Sequence, residues 1–133
     1  MEDCIFCKII NKEIPASTVY EDDQFLAFLD INPVTDGHLL LIPKAHHQMM
    51  IDLPDDLLGE IYIKAKELMP ALKKAMKADF VALLVVGIDV PHFHIHLIPR
   101  KLDDGLADFW PTKKYVEGEA MKIVEKIKSE LPS

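Results

Sequence analysis

His-Phe-His-Ile-His-Leu-Ile-Pro, residues 92–99, is the segment that says most about the fold of this chain. Successive side chains of a β-strand point to opposite faces of the sheet. The alternation therefore predicts a strand over residues 92–98 with His92, His94 and His96 on one face and apolar side chains in the core on the other. In a helix, the same spacing would spread the three histidines around the axis.

Three imidazoles on one strand face admit three interpretations. They could be a solvated face, or they could bind zinc and leave one coordination position open for water. Alternatively, one neutral imidazole could attack phosphorus while its neighbours fix its tautomer and handle protons. Strict alternation ended by Pro99 favours a chemical role over a solvated face. The spacing alone does not decide between a metal site and a nucleophile.

The rest of the chain predicts an α+β domain. Apolar spacing predicts a short first helix, a long helix that Pro70 bends or breaks, and a C-terminal helix. The last strand before the histidines is too apolar and β-branched for a surface strand, and it should form a hairpin with the histidine strand. The predicted helices cover residues 4–12, 54–78 and 120–131, and the predicted strands cover 18–20, 25–29, 38–43, 80–86 and 92–98.

Length and charge limit the possible functions. The 133 residues, 50% of them hydrophobic, fit one domain spanning 1–133. A net charge of -7 without a basic stripe disfavours binding to nucleic acid. Because residues 1–20 do not resemble a signal peptide and no apolar run is long enough to cross a bilayer, we expect a cytoplasmic protein that is not membrane-bound. The sequence has no glycine-rich phosphate loop, so any phosphate must be bound by another device. We expect no organic cofactor.

The order and spacing of several motifs resemble the histidine-triad (HIT) superfamily of nucleotide hydrolases and transferases, in its branch of small nucleoside phosphoramidate hydrolases and bacterial relatives. The resemblance covers nearly the whole chain. It implies a homodimer with a HIT-like fold, in which an antiparallel sheet of about five strands is accompanied by one long helix, a short N-terminal helix and a C-terminal helix. The motifs are Asp3-Cys4-Ile5-Phe6-Cys7-Lys8-Ile9-Ile10, Glu13-Ile14-Pro15, Val19-Tyr20-Glu21-Asp22, Phe28-Leu29-Asp30-Ile31, Gly37-His38, Ile42-Pro43-Lys44-Ala45-His46, the triad itself, and Ile98-Pro99-Arg100.

The resemblance also implies roles for individual residues. His94 would attack the α-phosphate of an AMP or GMP derivative to form a nucleotidyl-histidine, which water or another acceptor resolves. His92 and His96 would orient it and assist the leaving group, with His38 as a supporting fourth histidine. In the same way, Asp30 would bind the ribose hydroxyls, and Phe28 and Ile31 would lie against the base.

The sequence departs from the family pattern just before the triad. Ile88 and Asp89 stand where relatives usually carry Gln followed by Ser or Thr, and the apolar run 81–86 replaces a region with an Asn. Asp89 adds a negative charge where a phosphate is expected. We expect Asp89 either to point away and orient an imidazole, or to alter the substrate preference. A nucleotide-binding regulatory module with little turnover is the alternative function.

Cys4 and Cys7 have three interpretations. A redox pair would need a βαβ unit that the pattern lacks, whereas two small buried residues would need nothing further. A closed, structural zinc site would need two more ligands, and resemblance to bacterial relatives points to His46 and His92. Phe109 and Trp110 fit a core position or a specificity role near the site equally well.

Overall fold

The computed structural model describes residues 3–106 and 111–132, and it confirms an α+β fold. Three α-helices and five strands follow each other in the predicted order. A short 3₁₀ helix at Met50–Asp52 precedes the long helix. The elements are α1 (Ile5–Ile10), β1 (Thr18–Glu21), β2 (Phe25–Leu29), β3 (Leu39–Pro43), α2 (Asp55–Ala75), β4 (Phe80–Leu84), β5 (Ile95–Arg100) and α3 (Glu119–Glu130).

The five strands form an antiparallel sheet in the order β1-β2-β3-β5-β4. Two apolar clusters cover its two faces. The larger one includes Phe93, Ile95 and Leu97 and packs the sheet against α2 through Ile61 and Ala65. The smaller one, on the opposite face, joins the α1 region to β2 and β3, and its buried members are Cys4, Phe6, Leu26, Phe28, Leu40 and Ile42.

The predicted extent of the histidine strand was wrong, because β5 starts at Ile95 and not at His92. Its pairing with β3 begins where Ile95 faces Leu41. Before that point, the backbone N–H of Phe93 donates to the carbonyl of His47 at 2.6 Å instead of to a strand neighbour. The apolar side chains of this stretch nevertheless pack in the core against α2, whereas the His92 and His94 rings contact Phe6 on the other face. The two-sided placement of residues 92–97 was therefore predicted correctly.

The strand also continues through Pro99, where the sequence predicted its end. The Pro99 carbonyl accepts a hydrogen bond from the Thr35 hydroxyl at 2.7 Å and points away from Val81, the partner of Pro99 on β4. The backbone nitrogen and carbonyl of one strand residue face the same side, so the nitrogen of Pro99 faces away from β4 too. The N–H that proline lacks is therefore not needed for the β4–β5 ladder.

The neighbouring strand β4 was predicted to be buried and is not. It pairs with β5 as a hairpin, as expected, but it is the edge strand of the sheet and all five of its residues are half-buried. The apolar run of residues 80–86 thus lies at an edge that pairs with no further strand among residues 3–106 and 111–132, and Val86 is 50% exposed beyond the strand.

Two further features concern the helices. α2 runs unbroken from Asp55 to Ala75, so Pro70 does not end it. Pro70 and Lys66 are both exposed, and water can therefore satisfy the carbonyl that loses its helical partner. α3 carries no buried residue. Within residues 3–106 and 111–132, no helix has both the length and the apolar composition to cross a membrane.

Candidate functional site

The three triad imidazoles lie on the sheet face that α1 covers. Phe93 and Ile95 are 2% and 0% exposed and belong to the core against α2, which turns the alternating histidines towards the other side. There the ring of Phe6, from α1, packs edge-on against the rings of His92 and His94, with centroids 5.9 and 5.1 Å apart.

A cleft of about 500 Å³ opens between α1, the end of β2 and the approach to β5. Most of its wall is apolar and comes from the α1 region and β2. Polar groups lie near the triad, where His94 and His96 face the cleft and the His92 ring does not. The lining residues are Ile5, Phe6, Ile9, Ile14, Pro15, Ala16, Phe28, Leu29, Asp30, Ile31, Asn32, Leu40, Asp89, Val90, His94 and His96.

His94 is held in one tautomer by a backbone group. Its Nδ1 lies 2.7 Å from the carbonyl oxygen of His92. A carbonyl oxygen only accepts hydrogen bonds, so Nδ1 carries the proton of the neutral ring and donates it. Nε2 is then left with its lone pair, which is the form of imidazole that can act as a nucleophile or base.

The tautomers of His38 and His96 are also fixed by hydrogen bonds. The backbone N–H of Val34 donates to Nδ1 of His38 at 3.1 Å, so His38 carries its proton on Nε2. That nitrogen lies 2.9 Å from Nδ1 of His96 and donates to it. The proton of His96 is therefore on Nε2, a buried atom without a hydrogen-bond partner among the described residues.

The electrostatic environment keeps these rings neutral. Burial lowers the pKa of His38, and the nearby Asp30 carboxylate, 3.6 Å from Nε2, opposes that shift only in part. The pKa of His96 falls to about 4, first through burial and then through His94 and His38. At neutral pH the His96 ring is uncharged and acts as a hydrogen-bond donor through Nε2.

The residues predicted to bind substrate lie along the same cleft. Phe28 is buried in its wall, Ile31 is 91% exposed at its rim, and Asp89 is an exposed lining residue. Asp30 uses one carboxylate oxygen to accept the Asn32 N–H at 2.9 Å. Ile88 is 82% exposed and is not part of the lining.

The sequence-predicted metal ligands converge on one point. Nδ1 of His92 lies 3.3 Å from Sγ of Cys4, 3.6 Å from Sγ of Cys7 and 3.1 Å from Nδ1 of His46, and the last two atoms are 3.3 Å apart. Zinc at about 2.3 Å from sulfur and about 2.0 Å from nitrogen would hold tetrahedral ligands about 3.3–3.7 Å from each other. The four residues therefore fit zinc in number, atom type and spacing.

Neighbouring groups determine the protonation of these ligands. Nε2 of His92 donates to the Pro43 carbonyl at 2.8 Å, which leaves Nδ1 with its lone pair towards the cysteines. Burial and the Cys4 sulfur raise the pKa of the Cys7 thiol to about 11. A bound cation would reverse that shift, because a coordinated thiol is deprotonated. Cys4 and Cys7 are free of disulfide bonds.

Sequence reasoning missed the groups that fix the tautomers. The carbonyls of Pro43 and His92 and the N–H of Val34 are backbone atoms, for which a sequence carries no signal. Phe6 was part of the N-terminal motif, but it received no role, although its position between Cys4 and Cys7 placed it near the predicted site. Phe109 and Trp110 lie outside the described residues.

Comparison with known proteins identifies the family. A model of the HIT domain matches residues 11–103. The chain belongs to the HIT domain family. Among relatives of this HIT protein, the adenosine 5'-monophosphoramidase of Saccharomyces cerevisiae is 41% identical over 117 residues, which cover 84% of this chain and 72% of that protein.

Solved structures of HIT proteins have the same fold. A HIT family protein from Bacillus subtilis superposes with a TM-score of 0.84 at 35% identity and covers 98% of this chain and 99% of its own. A zinc-bound histidine triad family protein from Mycobacterium smegmatis gives a TM-score of 0.76 at 28% identity, with 96% and 97% of the two chains covered. The resemblance to the HIT superfamily and the HIT-like fold that it implies are thus confirmed.

Proposed function

We propose that this HIT protein is a nucleotidyl hydrolase or transferase that acts on the α-phosphate of nucleoside phosphoramidates or dinucleoside polyphosphates. The observation that carries the proposal is the pairing of a fixed lone pair, on Nε2 of His94, with a fixed N–H, on Nε2 of His96, along one cleft. The activity printed in the name of the yeast relative, adenosine 5'-monophosphoramidase, supports the same chemistry.

In the proposed reaction, the Nε2 lone pair of His94 forms a bond to phosphorus as the bond to the leaving group breaks. The leaving group departs with a proton from solvent, and the His92 carbonyl stabilises the positive ring through Nδ1–H. The His96 N–H donates a hydrogen bond to the phosphate or the leaving group. Water then attacks phosphorus, releases its proton to solvent, and frees His94 and a nucleoside monophosphate.

The remaining predicted contacts complete the proposal. The apolar part of the cleft would take the base, with Phe28 in the wall and Ile31 at the rim. Asp30, beside His38, would accept hydrogen bonds from the ribose hydroxyls. Such apolar contacts accept more than one base, which is consistent with AMP and GMP derivatives alike.

We also propose a structural zinc at Cys4, Cys7, His46 and His92, where four protein ligands leave no position for a reacting water. In this arrangement His92 contributes to catalysis through its backbone carbonyl. Zinc on the triad itself is disfavoured, because Nδ1 of His94 is bonded to a carbonyl and Nδ1 of His92 faces the cysteines.

A homodimer is the proposed assembly. Strand β4 ends the sheet, and its residues are apolar with an unpaired outer edge in the described part of the chain. An edge of this kind favours pairing with another chain. Sedimentation of the purified protein tests the assembly: a monomer at all micromolar concentrations would contradict it.

The decisive experiment follows AMP release from adenosine 5'-phosphoramidate. We expect turnover by the wild type, none by His94→Ala, and an adenylylated peptide containing His94 after rapid quenching. His47→Ala is the matched control, because this neighbouring histidine does not line the cleft. Full activity of folded His94→Ala would refute the nucleophile. Tight AMP binding without turnover on any substrate would favour the regulatory module instead.

A further inference from the structure

The cleft beside the triad is negatively charged. Its titratable lining residues are Asp30, Asp89, His94 and His96, and neither lysine nor arginine is among the residues that line it in the described part of the chain. His96 is neutral near pH 7, since its pKa lies at about 4. A substrate that extends along this cleft therefore meets carboxylates and no side-chain ammonium or guanidinium group.

The two carboxylates are not equivalent. Asp30 is part of the histidine network, through its 3.6 Å approach to His38 and the hydrogen bond from Asn32. Asp89 is exposed, and no described residue forms a hydrogen bond or an ion pair with it. Asp89 is thus the carboxylate that remains available to a ligand.

Asp89 lines the same cleft as His94 and His96. Its negative charge acts on the His96 ring and raises the pKa of that ring against the effect of burial. The apolar wall of the cleft, formed by the α1 region and Phe28, suits the base of a nucleotide. With the base against that wall and the α-phosphate at His94, the group attached to that phosphate comes within the field of Asp89, which reaches the neighbouring His96 ring.

We propose that Asp89 is a specificity-determining residue that selects substrates whose leaving group carries a positive charge, such as a nucleoside phosphoramidate of a diamine or a basic amino acid. The inference rests on the proposed function and narrows its substrate class. A polyphosphate leaving group would bring several negative charges towards Asp89 without a compensating cation in the lining, and it is selected against.

The size of the effect follows from the exposure of Asp89. A single charge pair in a solvated cleft, partly screened by salt, changes a rate by about three- to tenfold. The preference should therefore be clear at low ionic strength and should shrink as salt is added. Contacts through shape or apolar area would not show this dependence.

The test uses three adenosine 5'-phosphoramidates with amine chains of equal length that end in an ammonium, a methyl or a carboxylate group. For the wild type we expect kcat/KM to fall in that order by about three- to tenfold per step at low salt. Asp89→Asn should bring the three values within about twofold of each other. Ap4A, a dinucleoside polyphosphate, should be cleaved more slowly than the ammonium substrate by the wild type, with a smaller gap in the variant.

Asp23→Asn is the matched control, because it removes the same charge from the exposed β1–β2 turn. At about 3.3 Å per residue of strand, that turn is about 20 Å from the cleft end of β2. The control should keep the wild-type order of substrates.

The possible failures are distinct. Equal kcat/KM values for the three substrates in the active wild type, or a wild-type order in Asp89→Asn, would overturn the role of Asp89 and leave the proposed function standing. No AMP release from any substrate would overturn both.

Discussion

Replacing His38 by alanine tests the proton arrangement on which the proposed chemistry depends. His38 is 3% exposed and connects the N–H of Val34 to Nδ1 of His96. The substitution deletes two hydrogen bonds, leaves the buried Nδ1 of His96 without a donor, and opens a cavity the size of an imidazole. At about 1–3 kcal/mol for each buried polar group left unpaired, and with Val34 near enough to solvent to be rehydrated, we expect a loss of about 3 kcal/mol.

Two measurements check this expectation. Urea unfolding gives the free energy of unfolding, and His38→Gln serves as the matched control because its amide can still donate to His96 and should lose about half as much. Nitrogen-15 NMR of the histidine rings reports the tautomers directly. In the wild type at neutral pH, we expect His96 protonated at Nε2 and His94 at Nδ1, and in His38→Ala we expect a mixture of tautomers at His96.

Two outcomes would contradict these expectations. A wild-type His96 ring with its proton on Nδ1 would mean that His38 does not donate to it, and Nε2 would not be the donor that the proposed reaction needs. A change in unfolding free energy below about 0.5 kcal/mol in His38→Ala would mean that the buried hydrogen bonds contribute little.

Three further predictions concern pH, metal and packing. Because the pKa of His96 is about 4 in the folded protein and about 6.5 in an unfolded chain, the unfolded state takes up the proton first as the pH falls. The free energy of unfolding should therefore drop by about 2 kcal/mol between pH 7 and pH 5 through this residue. Urea unfolding of His96→Gln should show a correspondingly smaller drop. An equal drop in the variant would contradict the lowered pKa of His96. Elemental analysis should find one zinc per chain in the wild type, while Cys7→Ser should bind it at least about a hundredfold more weakly; full zinc content in the variant would remove Cys7 from the site. Phe6→Leu should keep its zinc but lose about fivefold in kcat, because the edge-on contacts of Phe6 with the His92 and His94 rings are worth about 1 kcal/mol; unchanged kcat would show that Phe6 does not position His94.

The sequence was sufficient to predict the elements because local patterns determine them. Alternation placed Phe93 in the core and His94 on the opposite face, and the periodic apolar residues of 54–78 predicted α2. What the sequence could not predict depends on neighbours from elsewhere in the chain. β5 starts only at Ile95 because the Phe93 N–H before it donates to the His47 carbonyl and not to β3. The exposure of β4 follows from its place at the edge of the sheet.

The roles expected for the three triad histidines came from the resemblance to the HIT superfamily, and the sequence could not predict which nitrogen of each ring carries the proton. Each ring has two nitrogens, and the group that contacts one of them decides what the other can do. The Pro43 carbonyl turns the lone pair of His92 towards Cys4 and Cys7. The His92 carbonyl turns the lone pair of His94 away from the backbone.

His96 differs from both, because its partner is a side chain and not a carbonyl. His38 donates to its Nδ1, so the atom that remains is an N–H and not a lone pair. Chemically identical residues at i, i+2 and i+4 thereby become a metal ligand, a nucleophile and a hydrogen-bond donor in the proposed mechanism. It follows that changes at His38, a residue outside the triad, should alter the chemistry of His96 without altering its position, whereas the two carbonyls cannot be removed by any side-chain substitution.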